Sequence, residues 1–270
     1  MEVARISLGV TAWSLDGRGP ETVERAAALG FDTIHLDSGA LDGDLRLDDD
    51  AVRERYRRAS RACAVTIGAI AGGDLNDLGL TSPAGSRNAA RCWDSIRIAI
   101  DAAAAMDVPV VFLPSFRAGE ILDAAGLHRT GEVLAAACDY ARSQPVTIAS
   151  ENTLSVAGNL RLLEAAARPE LRILLDTQNP SLWGHPVAPM VDALWPYLAE
   201  QVHVKDGVDG AMGSAVLGEG TSDFAATAAA LRHHGFDGAL VSENDYHGAR
   251  SANALVDLQV LRQAFEGADA

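Results

Sequence analysis

The sequence predicts a single (β/α)8 barrel. Eight short apolar runs recur along the chain, each followed by a longer stretch of helical period. No Gly-x-Gly-x-x-Gly phrase follows the first run, which disfavours an open doubly wound sheet. Eight such units fit 270 residues, close to the roughly 250 typical of this barrel. No Pro/Ser-rich linker or shift in composition interrupts the series, so residues 1–270 are expected to form one barrel domain.

The strand candidates run in order along the chain. They are Ile6 to Val10, Thr33 to Leu36, Val65 to Ile70, Val110 to Leu113, Val146 to Ala149, Ile173 to Leu175, Gln201 to Val204 and Ala239 to Val241. The opening MEVARISLGV reads as the first strand; it has no basic region followed by a long apolar core, as a signal peptide would. Between the strands, Pro20 suits a first helical turn. Gly30 and Gly235 end helical stretches in similar phrases, AALGFD and RHHGFDG, where a left-handed residue stops a helix. Arg87 to Met106 and Leu255 to Phe265 carry apolar residues at three-to-four spacing. The longest gap, Gly72 to Gly85, falls in a βα loop on the catalytic face, where a lid and a plain surface loop are both open readings.

Composition narrows the function. Hydrophobic residues make up 48% of the chain and charged residues 22%, as in an ordinary soluble enzyme. The net charge of −15 repels a phosphate backbone, so a nucleic-acid partner is not expected. No run of about 18 apolar residues is present, so no membrane span is expected. Cys63, Cys92 and Cys138 are scattered, without a CxxC pair, which suggests buried structural thiols in a reducing, cytoplasmic setting.

Chemistry in this fold sits at the C-terminal ends of the strands. Strand 5 ends TIASEN, strand 6 RILLDTQN, strand 7 QVHVKD and strand 8 ALVSEN. These deliver Glu151, Asp176, His203 and Glu243. Any one alone can be read as a polar strand terminus or helix cap, most readily Asp176 and less so Glu151 and Glu243. Four in consecutive strands read as a metal site, because a carboxylate directly after an apolar strand is costly to bury without a partner. Three carboxylates and one imidazole suit one divalent ion, Mn²⁺ foremost, with Mg²⁺ or Co²⁺ as alternatives. Such a set leaves positions for the adjacent oxygens of a hydroxyketone. Glu151 and Glu243 then form an acid/base pair for proton transfer at the carbon beside the carbonyl, through an enediolate.

The phrases LGVTAWSL, GFDTIHLD, LTSPAGSRNAA, SEN at Glu151, LLDTQN, HVKD, LGEGTSDF and GFDGALVSEN carry a family likeness. The chain resembles the sugar phosphate isomerase/epimerase superfamily, the xylose isomerase-like TIM barrels of AP endonuclease family 2, over nearly its whole length. The resemblance implies a metal site at Glu151, Asp176, His203 and Glu243, with the two glutamates as acid and base. It also implies Lys205 and Asp206 as a polar pair beside the metal. Three positions depart from the family's epimerases. Asn179 stands where a substrate-contacting histidine is frequent, the nearest histidine being His185. GSAV at Gly213 to Val216 lacks a frequent arginine, and strand 4 ends Leu113-Pro114-Ser115 where many members have a histidine. Endonuclease IV, with a histidine-rich three-metal site, fits poorly with seven histidines and an acidic chain.

Lys205, Asp206, His185, Trp13 and His35 are the expected substrate contacts. His35 and Asp37 share a face of strand 2, and a structural polar pair is the other reading. Trp13 and Phe116 could wall a sugar site or pack in the core. Trp183 falls in the strand-6 loop beside His185, and His247 at the rim past strand 8. His233 and His234 are expected to face solvent at a helix end, and Arg87 the surface. The activity expected first is a divalent-metal isomerase or epimerase of a small keto-sugar or oxo-polyol. A dehydratase or lyase on an oxo-sugar or inosose, including a C-glycoside-cleaving subunit, would use the same site. A non-catalytic sugar-binding barrel with a relict site is the third reading. No Lys/Arg cluster marks the strand 7–8 loops, which favours an unphosphorylated substrate, and a homo-oligomer is left open.

Overall fold

The computed structural model describes residues 6–266; residues 1–5 of the expected N-terminal strand segment lie outside the described residues. Strand and helix alternate as the sequence predicts. The order is β1 (Ser7–Thr11), α1 (Glu21–Leu29), β2 (Thr33–Asp37), α2 (Asp50–Cys63), β3 (Thr66–Ala71), α3 (Leu75–Leu78) and α4 (Arg87–Ala105). It continues with β4 (Val110–Pro114), α5 (Ala124–Ala141), β5 (Thr147–Glu151), α6 (Val156–Ala166), β6 (Arg172–Asp176) and α7 (Asn179–Leu182). Then come α8 (Val187–Leu194), β7 (Leu198–Val204), α9 (Phe224–His233), β8 (Ala239–Ser242) and α10 (Asn253–Glu266). The strands close into a barrel in chain order, β1 through β8, and β8 pairs parallel with β1.

Local signals explain the boundaries. Side-chain oxygens of Ser86, Asp123 and Ser155 accept the backbone N–H three residues on and start α4, α5 and α6. Gly30, at φ 89°, ends α1 in the left-handed region that glycine enters without strain. Two short helices, α3 and α7, lie in segments read as loops, since one turn is too short to show a period. β7 begins at Leu198 rather than Gln201; the exposed Glu200 between buried Ala199 and Gln201 masked the start. Cys92 and Cys138 are buried as expected, whereas Cys63 is only half-buried at the end of α2.

By internal packing the chain divides into two units, with boundaries inside β2, α2, β3 and β6. In the first (Met1–His35, Ala59–Thr66, Leu174–Ala270), β1 pairs with β2 and β8, and β7 with β8. Val10, Val202, Val204, Leu240 and Val241 are fully buried there, as parallel strands covered on both faces require. In the second (Leu36–Arg58, Ile67–Ile173), β3, β4 and β5 pair in register around Ile70, Phe112, Leu113 and Ile148. Among the described residues no helix is long and apolar enough to cross a membrane.

Helix α5 lies closely on α6, and the approach passes over Gly131. A Cβ there would fall 2.8 Å from Ala165 Cβ and 3.1 Å from the Ala165 carbonyl carbon. Alanine would raise helix propensity by about 1 kcal/mol, but overpacking costs about 1–3 kcal/mol. Gly131→Ala is therefore expected to lower the thermal midpoint; an unchanged or raised midpoint in a melting experiment would show that the helices can part freely.

Candidate active site

Each of the four strands β5 to β8 carries its polar residue at or just past its C-terminal end. One ligand atom from each of Glu151, Asp176, His203 and Glu243 lies within 4.8 Å of the others. That spacing lets them share one ion at oxygen and nitrogen distances of about 2.0–2.3 Å. Glu151, Asp176 and His203 are 3%, 1% and 0% exposed, so the cluster is built into the protein rather than scattered on its surface. Asp176 Oδ1 accepts the backbone N–H groups of Gln178 (2.8 Å) and Asn179 (2.5 Å) at the start of α7. Its Oδ2 is buried and makes no hydrogen bond, only an ion pair with Lys205 Nζ at 3.2 Å. A buried carboxylate oxygen left in this way, beside two more carboxylates and an imidazole, fits a hard divalent cation; the cluster can hold one metal ion.

Lys205 supplies the only positive side chain seen within this group among the described residues. Its Nζ lies 2.5 Å from Glu243 Oε2 and 3.2 Å from Asp176 Oδ2. The Trp13 indole N–H donates to Glu243 Oε1 at 2.8 Å, so both oxygens of Glu243 are engaged. Trp13 also meets the His203 ring edge-on, with centroids 6.3 Å apart. Burial pushes the Glu243 carboxyl up, but the Lys205 ammonium, His203 and the bonds from Lys205 and Trp13 together outweigh it and hold it down at about 2. Burial raises the Asp176 carboxyl, and Lys205 opposes that rise.

Behind the cluster the loops are tied by polar residues. The two SEN phrases work alike: the asparagine after each glutamate reaches the helix that follows. Asn152 Nδ2 donates to Asn159 Oδ1 in α6 (3.0 Å), and Asn244 Nδ2 to Asp257 Oδ2 in α10 (2.7 Å). Asp257 also accepts from Tyr246 Oη (2.6 Å) and the Leu217 N–H (2.8 Å). Gln178 bridges the loops after β6 and β7, accepting the Gly213 N–H at 2.8 Å and donating to Ala211 O at 3.3 Å.

The residues expected to contact substrate divide. Trp13 and Lys205 stand at the cluster, Trp13 still 37% exposed. Asp206 does not point to a ligand. Its carboxylate is fully buried and accepts four backbone N–H groups, from Gly207 and Ser222 on Oδ1 and from Gly218 and Gly220 on Oδ2, at 2.9–3.0 Å. It is the anchor of the loop that contains GEG. His35 is also fully buried, with one ring nitrogen on Gln201 and the other on His203, so it backs the cluster rather than lining its mouth. Its strand neighbour Asp37 is exposed and accepts the Gly39 N–H at 2.7 Å. His185 is half-buried between α7 and α8, where its backbone N–H donates to Pro180 O. Trp183 and His247 are exposed, His247 pairing with Asp245, and Phe116 is half-buried. Arg87 is exposed, as expected. His233 is exposed too, but His234 is half-buried, stacked on Trp195 at 4.6 Å and bonded to Asp192, because the loop before β7 brings that indole to it.

Sequence reasoning missed Gln178, Gln201 and Asp257. Gln201 carried a signal: it shares the alternating face of β7 with His203 and is an amide inside a buried strand. Asp257 carried none, being one polar residue in an amphipathic helix. Removing one acceptor oxygen from Asp206 leaves two backbone N–H groups of the loop without a partner, a loss of about 1–3 kcal/mol each. Asp206→Asn is expected to speed hydrogen exchange at Gly218, Gly220 or Ser222 while β7 stays protected. Unchanged exchange in all three would remove the anchor role.

Comparison with known proteins agrees with this geometry. The family model of the xylose isomerase-like TIM barrel matches residues 23–264. A 2-epi-5-epi-valiolone 7-phosphate 2-epimerase from an Actinoplanes strain is 35% identical over 258 residues, covering 95% of this chain and 94% of its own. Two solved structures share the fold. One is a xylose isomerase domain protein from Planctomyces limnophilus (TM-score 0.77, 19% identity, 99% of this chain and 100% of that one). The other is a D-tagatose 3-epimerase-like protein (TM-score 0.81, 19% identity, 97% of each chain). With four ligand side chains gathered at its strand ends and these relatives, the chain belongs to the xylose isomerase-like TIM-barrel family, as one of its enzymes.

Proposed function

We propose that the chain is a divalent-cation-dependent epimerase that inverts a carbon beside the carbonyl of a small oxo-polyol or keto-sugar. The observation that carries this reading is the set Glu151, Asp176, His203 and Glu243, three of them buried and Glu243 half-buried, with ligand atoms within 4.8 Å and Asp176 Oδ2 lacking a hydrogen bond. Glu151, Asp176, His203 and Glu243 would hold the ion, Mn²⁺ in preference to Mg²⁺ or Co²⁺. A cation there supplies positive charge to the adjacent oxygens of a hydroxyketone and so favours its enediolate.

The protein's own groups move the proton. Glu243 is ionised at neutral pH and is oriented from both sides, by Trp13 on one oxygen and Lys205 on the other. Glu151, at the end of β5, would be the second carboxylate of the pair. One carboxylate takes the proton from the carbon beside the carbonyl, and the other, itself protonated, gives its own proton to the opposite face; in the reverse reaction they exchange roles. Support for epimerisation over loss of a β-hydroxyl comes from the Actinoplanes relative, whose name specifies inversion at carbon 2 of a phosphorylated valiolone. Trp13 offers an apolar ring for the C–H face of such a substrate. At the end of β8, Arg250 and His247 are both engaged by Asp245.

A panel of keto-sugars and oxo-polyols, each with and without a phosphate, is to be incubated with the enzyme and Mn²⁺ in D2O and followed by NMR. One member should take deuterium at the carbon beside its carbonyl, and EDTA should stop the exchange until Mn²⁺ is returned. Glu243→Gln should keep the fold and slow the exchange by about 10²- to 10⁴-fold. Exchange at the wild-type rate in that variant would end the acid/base assignment, and full activity after chelation would end the metal assignment.

A further inference from the structure

Three buried residues behind the cluster form a directed hydrogen-bond chain. Gln201 Oε1 meets His35 Nε2, and His35 Nδ1 lies 3.0 Å from His203 Nε2. His203 Nδ1 is the nitrogen on the cluster side, 3.5 Å from Glu243 Oε2. His35 and His203 are 0% exposed and Gln201 is 6% exposed, so bulk water does not compete for these groups. From these contacts we propose that Gln201 and His35 are positioning residues that set the tautomer of His203 and keep its Nδ1 unprotonated toward the ion. The inference rests on the metal reading given above, and deepens it.

An amide oxygen has no proton to give, so His35 Nε2 must be the donor in its contact with Gln201. A neutral imidazole carries one N–H, so His35 Nδ1 is left as an acceptor. The only proton that can occupy the 3.0 Å contact then belongs to His203 Nε2. His203 Nδ1 is thereby a lone pair, the form a metal ligand needs. His35 is 0% exposed, and an imidazolium without a counter-charge is costly to bury, so that ring is neutral. Without the acceptor at Gln201, His35 can shift its proton to Nδ1 and donate to His203 Nε2. That change moves the His203 proton to Nδ1, directly into the place of the ion.

Strand geometry makes the chain continuous. Gln201 and His203 are two residues apart on β7 and so share a face. The centroids of His35 and His203 are 5.2 Å apart at a 49° tilt, and Nδ1 of one ring lies 3.0 Å from Nε2 of the other.

The test uses metal-free, histidine-labelled ¹⁵N protein and reads each tautomer by long-range ¹H–¹⁵N NMR. In the wild type, His203 should carry its proton on Nε2; a proton on Nδ1 overturns the proposal without any variant. In Gln201→Leu, the His203 proton should redistribute toward Nδ1, and Mn²⁺ affinity by calorimetry should fall about 10- to 100-fold. A folded Gln201→Leu protein with the wild-type tautomer and Mn²⁺ affinity also overturns it. Failure of the wild type to bind Mn²⁺ while His203 is protonated on Nε2 would leave the relay intact and remove the metal reading instead.

Discussion

The structure is organised around one electrostatic constraint: three carboxylates are held together where water is nearly absent. Glu151 and Asp176 are almost fully buried, and the Glu243 side chain is 16% exposed. Carboxylates removed from water raise each other's proton affinity unless positive charge is brought among them. Lys205 does so between Asp176 and Glu243, and the contrast between those two follows from it. Glu243, with both oxygens bonded, is held strongly acidic, whereas burial still dominates at Asp176, whose Oδ2 lacks a hydrogen bond. Three carboxylates against one ammonium leave a formal excess of two negative charges, the complement of a divalent cation.

Such a cluster holds its geometry only if the segments behind it are rigid. The βα loops have little regular structure, so their backbone N–H groups are satisfied by side chains. Asp206 takes up four of them, Asp176 Oδ1 takes two, and Gln178 links the loops that follow β6 and β7. Asn152 and Asn244 tie the glutamate-bearing strand ends to the next helices. Charged groups fixed in this way need little rearrangement when charge develops on a substrate, which is how preorganised sites lower barriers. The same logic assigns Gln201 and His35 their place: they govern which nitrogen of His203 carries the proton.

Much of the fold was legible in the residue pattern. Buried parallel strands must be apolar on both faces, so each appears as a short apolar run, and Gly30 marks a helix end by its backbone freedom alone. The exceptions are places where the signal is shorter than its period, as in α3 and α7, or hidden by one charge, as at Glu200 in β7.

At the site, the chain order determined that Glu151, Asp176, His203 and Glu243 end consecutive strands, and barrel topology then places such residues on one rim. Pattern alone did not separate a group facing a ligand from one facing the protein. Asp206 and His35 have the residue types of substrate contacts, yet one anchors a loop and the other backs His203. The carboxylate of Asp206 binds the loop that follows it, whereas His35 meets residues on β7 and Asp257 on α10 meets Asn244 just past β8. Hydrophobic periodicity is a property of neighbouring residues and is written locally. The direction of a buried hydrogen bond is set by which distant donor or acceptor the closed barrel brings within about 3 Å, and only the tertiary structure decides that.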